Sequence, residues 1–272
     1  MKFQLKALAA ALALAAVAVP AQASIDATAS GNGSLILTVI DKVTNVSAFF
    51  DLGKNYLDFN QVAAAGAVSS VTASGTSFSW DLASNADYSA AWNSFLGAST
   101  LANTQWAITA GDNLGAGAGS RGYVSTFVSA GSSTTGSAVI TAVGNFDTFT
   151  SNAAVGAGST MLSAADGAAY LPVATPYYGA GKNNGTGPVS MGYIGTSLGV
   201  VQQVIGASSF VPSTQTVFGN GAQFTLASNG ALSYTTNPIV TAPVPEADTW
   251  AMMMVGLGLM GFMSRRRNRN QA

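Results

Sequence analysis

Residues 223–235 read Gln-Phe-Thr-Leu-Ala-Ser-Asn-Gly-Ala-Leu-Ser-Tyr-Thr, and this stretch indicates the fold class more clearly than any other. Phe and Leu alternate with polar residues in its first half, as Leu and Tyr do in its second, and this period of two is typical of half-buried β-strands. Asn229-Gly230 supplies the residue types that a tight hairpin turn requires at positive φ. The stretch therefore predicts an antiparallel β-hairpin in a mainly β protein.

Further strands are predicted along the chain, where short apolar and β-branched runs alternate with turn residues. These runs are Ser34–Ile40, Val46–Leu52, Ser77–Leu82, Gln105–Ala110, Gly122–Val128 and Ala138–Val143. Short strands at close spacing favour a β-sandwich-like fold, and residues 24–236 are long enough for one such domain.

Two stretches predict short helices. Asp87–Leu96 places Tyr88, Ala91, Trp92 and Phe95 on one face. Its helix would begin at Asp87 or Asn85 as the cap and end at Gly97.

The second stretch runs from Phe146 to about Ala165 and is rich in Ala, Ser and Thr. It predicts a helix broken at Gly156 and Gly158, because glycine lowers helix stability.

The chemical composition excludes several classes of function. Charged residues make up 8% of the chain, against about 25% in typical soluble domains. The chain has no cysteine and no histidine, which removes a thiol nucleophile, the Ser-His-Asp triad and the usual transition-metal ligands. Residues 24–236 contain nine aspartates and four basic residues, which gives a net charge of about −5. The basic residues are Lys42, Lys54, Arg121 and Lys182. Nucleic acid is therefore not expected as a partner, since phosphate binding requires clustered Lys and Arg.

The first 23 residues have the three parts of a secretory signal peptide. Lys2 and Lys6 precede an apolar run from Ala7 to Val19, and Pro20 ends that run. The small residues that signal peptidase recognises follow, with cleavage expected before Ser24; they are Ala21 and Ala23. Residues 1–23 thus predict export through the Sec translocon and removal by signal peptidase.

The C-terminal end predicts a membrane segment preceded by a spacer. A Pro-containing linker, residues 237–243, leads to the sequence Val244–Thr249, and residues 250–263 are apolar. As a helix this apolar run would reach roughly 21 Å, against about 30 Å of hydrocarbon. Trp250 favours the membrane interface, and the Arg-rich end, residues 264–270, favours the cytoplasmic side. We expect a transmembrane helix that holds the body outside the inner membrane.

This tail resembles the PEP-CTERM sorting signal of Gram-negative bacteria that make exopolysaccharide, also catalogued as an ice-binding-protein C-terminal domain. The resemblance rests on Pro245-Glu246, Trp250, the Gly/Leu/Met helix and Arg265–Arg269. Ala247 stands where the second proline of the motif usually falls. The resemblance implies that residues 244–270 are recognised by exosortase, a membrane-embedded cysteine transpeptidase. It further implies transient anchoring, cleavage near the motif, and release or transfer to the cell surface.

Glu246 is the only glutamate in the chain. Its position beside Pro245 predicts a recognition residue for a processing enzyme, not a catalyst. The residues expected to carry sorting are Val244, Pro245, Glu246, Trp250, Arg265, Arg266 and Arg267.

Two aspartate pairs, Asp51 with Asp58 and Asp81 with Asp87, have the residue type that glycoside hydrolysis uses. Local roles explain them better, because Asp51 precedes Leu-Gly at a strand end and Asp87 fits a helix cap. No catalytic residue is therefore assigned.

Calcium could bind Asp/Asn loops, although EF-hand spacing is absent. The candidates are Asn85 with Asp87 and Asp112 with Asn113. No metal site and no cofactor is assigned.

The aromatic residues could stack on sugar rings, but most are expected in the core, because large side chains are scarce. They are Tyr177-Tyr178, Trp80, Trp92 and Trp106.

Two classes of function remain open. The first is a non-enzymatic cell-surface or extracellular-matrix protein that associates with exopolysaccharide. The second is an Asp-dependent polysaccharide hydrolase. A carbohydrate-binding or ice-binding module is a further alternative, although ice binding requires a regular Thr array and the sequence has no T-x-T period.

Overall fold

The computed structural model describes residues 25–153, 158–163, 166 and 191–237, and these residues are mainly β. They all belong to one unit, which ends at Asn237. The predicted signal peptide and its cleavage site, the membrane helix and the Arg-rich end lie outside the described residues, as does the linker beyond Asn237. No helix in the described ranges is both long enough and apolar enough to cross a membrane.

The described strands form one antiparallel sheet of eleven strands. They are β1 (Ser34–Asp41), β2 (Val46–Asn55), β3 (Ser77–Asp81), β4 (Thr104–Asp112), β5 (Gly122–Phe127), β6 (Ser159–Ser163), β7 (Gly192–Tyr193), β8 (Ser197–Val204), β9 (Thr214–Val217), β10 (Gln223–Leu226) and β11 (Ala231–Thr235). Their order in the sheet is β3-β11-β10-β8-β5-β4-β1-β2-β6, with β7 paired to β4 and β9 paired to β8.

The predicted mainly β class is confirmed, and a single curled sheet is found where a sandwich-like arrangement was expected. The sheet curls until β3, near one end, approaches β2, near the other. Among the described strands, β3 pairs with β11 alone, and it meets β2 through side chains: Trp80 Nε1 donates to Leu52 O at 2.8 Å. We call this meeting line the seam. The sequence does not reveal the curled arrangement, because strand patterns indicate which face is buried but not which strands pair.

Both faces of strand β1 are buried. Leu35, Leu37 and Val39 lie in the main core enclosed by the curled sheet. Ile36 and Ile40 point to the outer face and join a second cluster. The continuous apolar run of β1 follows from this double burial.

Two α-helices accompany the sheet in the described residues, α1 (Ser89–Ala98) and α2 (Gly136–Ala153). Helix α1 confirms the predicted helix, and its buried residues are Ala91, Trp92 and Phe95. Neither Asp87 nor Asn85 caps it, because Tyr88 is the N-cap and makes no side-chain cap bond. The helix also continues through Gly97.

The predicted strand Ala138–Val143 is wrong, since it belongs to helix α2. Its β-branched residues favoured a strand, but Val139, Val143, Phe146 and Phe149 follow helical spacing and are all buried. The predicted helix from Phe146 to about Ala165 is correct only as far as Ala153, because Ser159–Ser163 is strand β6.

The predicted hairpin is confirmed as β10 and β11, with Phe224 opposite Tyr234 and Leu226 opposite Leu232. Its turn differs from the prediction. Gly230 has positive φ, at +86°, whereas Asn229 does not, because Ala227 N bonds Ala231 O and the loop is longer than two residues. A Cβ atom at Gly230 would lie 2.9 Å from Trp92 Nε1, so this position also requires glycine for space.

The described chain ends in a set of hydrogen bonds that we call the C-terminal clasp. Thr76 N donates to Thr236 Oγ1 at 2.9 Å, and Thr236 N donates to Thr76 O at 3.0 Å. Asn237 accepts from Gly75 N at 2.9 Å and donates to Asn220 O at 2.7 Å. The clasp holds the residues after β11 against neighbouring loops.

Candidate functional site

An open groove lies at the seam, between the end of β2 and the edge strand β3. Its lining is Lys54, Leu57–Phe59, Ala67–Val71 and Phe78, and its volume is about 510 Å³. This volume falls within the range of pockets that hold small ligands, about 300–1,000 Å³. We call it the seam groove.

A buried glutamine of β8 positions the chain that leads into the groove. Gln202 Nε2 donates to the Tyr56 hydroxyl at 2.7 Å and to Asn60 Oδ1 at 2.8 Å. Gln202 Oε1 accepts from Gln61 N at 2.7 Å. An unsatisfied buried polar group costs about 1–3 kcal/mol, so these bonds hold the 3-10 helix Tyr56–Phe59 in one place on the sheet.

The opposite wall of the groove is fixed by Gln61. Its Nε2 donates to Ser69 O and Ser69 Oγ, both at 3.0 Å. Its Oε1 accepts from Thr72 Oγ1 at 3.0 Å. Since Ser69 N also donates to Asn60 O at 2.8 Å, the wall around Ser69 is held from both its backbone and its side chain.

The floor of the groove rests on an aromatic cluster in the core. The ring of Phe59 lies 5.4 Å from Tyr234, 5.8 Å from Phe224 and 6.3 Å from Phe78, measured between centroids. Phe59 is fully buried. The residues around it are therefore supported by close packing rather than by a flexible loop.

Two charged side chains of opposite sign line the groove. Lys54 Nζ lies 5.2 Å from the centroid of the Phe78 ring, a distance at which the ring attracts the ammonium group. Asp58 Oδ2 accepts a hydrogen bond from Asn55 N at 2.9 Å, which caps the 3-10 helix. Both groups are thus oriented by neighbours while they face the groove.

The candidate catalytic pair Asp51 and Asp58 does not line one common site. Asp58 lines the groove and Asp51 does not. Asp51 Oδ1 accepts from Gly53 N and Asp51 Oδ2 accepts from Ser34 Oγ, both at 2.9 Å. These bonds give Asp51 a structural role.

In the second candidate pair, Asp81 and Asp87, the hydrogen bonds give the side chain of Asp81 a structural role. Asp81 Oδ1 accepts from Ala83 N and Ser84 N, both at 3.0 Å, and so closes the turn after β3. Asp87 lies just before α1, and its backbone oxygen accepts from Ser159 Oγ.

Burial of Asp51 predicts a pH effect on stability. Burial raises the pKa of the Asp51 carboxyl above its ordinary value, against the lowering effect of its bonds to Gly53 and Ser34. Between the unfolded and folded pKa values the folded state binds more protons, so this contribution to stability falls as pH rises. We expect Asp51→Asn to raise the Tm of the full chain by a few degrees at neutral pH, with the difference shrinking as pH falls through that window.

Asp81→Asn is the control, because its effect on the Tm is expected to depend on pH in the opposite direction. Hydrogen bonds from Ser84 lower the pKa of Asp81, so its contribution to stability is present at neutral pH and is lost on acidification. Thermal unfolding of both variants from neutral pH to about pH 3 checks the prediction, and a Tm difference for Asp51→Asn that does not change with pH would contradict it.

Side chains in the two candidate calcium loops accept hydrogen bonds that stabilise turns. Asn85 Oδ1 accepts from Asp87 N, and Asp112 Oδ1 accepts from Leu114 N, both at 2.8 Å. Within the described part of the chain, no group of three acidic side chains lies close enough to hold a metal ion.

The predicted aromatic residues lie mainly in the core. Trp92 and Trp106 are fully buried, and half-buried Trp80 packs against the core. Tyr177-Tyr178 lies outside the described residues.

The residues predicted for sorting and for signal cleavage also fall outside the described ranges. They are Val244, Pro245, Glu246, Trp250, Arg265, Arg266 and Arg267 for sorting, and Ala21, Ala23 and Ser24 for cleavage.

Residues 243–267 match the family model of the PEP-CTERM protein-sorting motif. No curated protein and no solved structure matched the chain. The match confirms the resemblance drawn from Pro245-Glu246, Trp250 and the arginines. Residues 243–267 are therefore a PEP-CTERM protein-sorting motif, and this motif implies export and exosortase-dependent sorting to the cell surface.

Sequence reasoning did not find the seam groove. Lys54, Ser69 and Ser70 belong to no motif, and Asp58 stands out in the sequence only as half of a candidate catalytic pair. The one available signal was Lys54 itself, because the body between residues 24 and 236 has only four basic residues.

Proposed function

We propose that this protein is a non-enzymatic cell-surface or extracellular-matrix protein that associates with exopolysaccharide. The match at residues 243–267 carries the proposal, because it places the chain among exported proteins processed by exosortase. The exported body would remain outside the cell after the tail is cut, and its transient membrane anchor would be residues 250–263.

The chemistry of the seam groove favours binding over catalysis. Glycoside hydrolysis ordinarily uses two carboxylates that flank the scissile bond. The lining of the groove contains one acidic residue, Asp58, and this carboxylate also caps a 3-10 helix. Among the described residues that line the groove, Asp58 has no second carboxylate to act with it in acid–base chemistry.

The composition of the body suits a polysaccharide environment. The charge of about −5 between residues 24 and 236 is small, and Ser, Thr, Asn and Gly are abundant. Hydroxyl and amide groups bind sugars through hydrogen bonds that salt screens little.

Co-sedimentation tests this function. The full chain in detergent micelles is mixed with exopolysaccharide from the producing strain, and bound protein and released reducing sugar are measured. We expect the protein to sediment with the polysaccharide and no sugar to be released.

Two results would oppose the proposal. If the protein stays in solution with every exopolysaccharide fraction, the proposed association is wrong. Sugar release that disappears in Asp58→Asn or Asp51→Asn would instead make the protein an Asp-dependent hydrolase.

A further inference from the structure

The charges that line the seam groove cancel. Lys54 contributes one positive charge and Asp58 one negative charge, and the other lining residues are uncharged. Since the surrounding body is acidic, a polyanion gains little from this single lysine. Electrostatic complementarity therefore favours a neutral ligand with both hydrogen-bond donors and acceptors.

Lys54 and Asp58 supply complementary hydrogen-bonding groups. An ammonium group has three N–H donors and a carboxylate accepts about four hydrogen bonds. Asp58 uses part of that capacity for Asn55 N, and Lys54 is held over the Phe78 ring. Both groups retain capacity for a ligand, and neighbouring hydroxyls of a sugar ring present the matching donors and acceptors.

Other side chains already pack against the ring of Phe78. Lys54 lies over the ring, and Tyr234 stacks on it at 5.7 Å between centroids with an interplanar angle of 27°. A sugar therefore does not stack on Phe78. The apolar contact comes from Leu57 and Val68, which are 39% and 56% exposed and suit the C–H face of a pyranose.

We propose that the seam groove binds a neutral sugar unit of the polysaccharide, with vicinal hydroxyls bridging Lys54 and Asp58 and the C–H face against Leu57 and Val68. This inference rests on the proposed function, because it names the part of the polysaccharide that the protein recognises. The hydroxyl of Ser70, exposed on the groove wall, supplies a further hydrogen bond.

Two conservative variants test the assignment. Lys54→Met keeps the apolar stem beside Phe78 and removes the ammonium group. Asp58→Asn keeps an acceptor for Asn55 N and removes the charge. Each is expected to weaken co-sedimentation with the exopolysaccharide about tenfold, because hydrogen bonds to charged groups are the strong ones. Lys42→Met, at an exposed position outside the groove, removes the same charge and is expected to bind as the unchanged chain does.

Chemical treatment of the exopolysaccharide tests the ligand. Carboxyl reduction converts acidic sugars to neutral ones and is expected to leave binding unchanged. Periodate cleaves vicinal diols and is expected to abolish binding.

The outcomes separate this inference from the proposed function. If the unchanged chain binds but Lys54→Met and Asp58→Asn bind equally well, with melting curves like that of the unchanged chain, the groove is not the site. If carboxyl reduction removes binding, the recognised unit is acidic and the inference fails. If the unchanged chain does not bind the exopolysaccharide at all, the proposed function fails with it.

Discussion

Glu246→Ala is expected to leave the full-length chain in the inner membrane. Glu246 is the only glutamate in the protein, and it lies within the matched sorting motif. Alanine at this position removes the carboxylate beside Pro245 but leaves the apolar run 250–263 and the arginines unchanged. The chain should therefore still insert, and only its recognition by exosortase should be lost.

Fractionation of the producing strain measures this effect. The unprocessed form should account for nearly all of the variant in the membrane fraction, with little protein at the cell surface or in the medium. Asp248→Ala is the matched control, because it removes a carboxylate two residues away and should be processed normally. Normal processing of Glu246→Ala would show that the glutamate is not a recognition residue.

Phe59→Ala is expected to cause the largest loss of stability among single changes near the groove. Phe59 is fully buried and packs on Phe224 and Tyr234. Truncation of a buried phenylalanine to alanine costs about 3–5 kcal/mol, because it leaves a cavity as well as removing apolar contacts. With about 2–4 °C per kcal/mol for domains of this size, the Tm should fall by roughly 6–20 °C.

Leu57→Ala is the control for this prediction. It lies in the same 3-10 helix but is 39% exposed, so the change should lower the Tm by only a few degrees. Thermal unfolding of the full chain in detergent, followed by near-UV circular dichroism, measures both variants. Equal losses for the two variants would mean that Phe59 is not part of the core that supports the groove.

Local patterns in the sequence predict those strands whose burial alternates or is complete. The hairpin and strands β1 to β5 were predicted because apolar residues mark their buried faces. Strand β8 was missed, because Gln202 and Gln203 break its apolar pattern. Both glutamines are nevertheless fully buried, and Gln202 is satisfied by Tyr56 and Asn60, partners more than 140 residues away in sequence.

Pairing and curvature of the sheet were beyond prediction from local patterns. Strand β3 pairs with β11, although most of the domain's sequence lies between the two strands. No short motif predicts that pairing. The same reason explains why the seam groove was missed, since Lys54 and Phe78 come together only when the sheet curls. The sorting tail could be predicted, because its signal is a motif of contiguous residues that does not depend on the fold of the body.

The C-terminal clasp bears on how the body responds to mechanical tension. A pull applied to the chain beyond Asn237 would enter the body through Asn237 and pass into β11. This strand lies between β10 and β3, both antiparallel to it. A pull directed along β11 therefore loads the hydrogen bonds of two ladders together in shear, and the clasp at Thr76 and Asn220 takes the load first. The fold therefore opposes a pull applied through Asn237 with two hydrogen-bonded ladders at once.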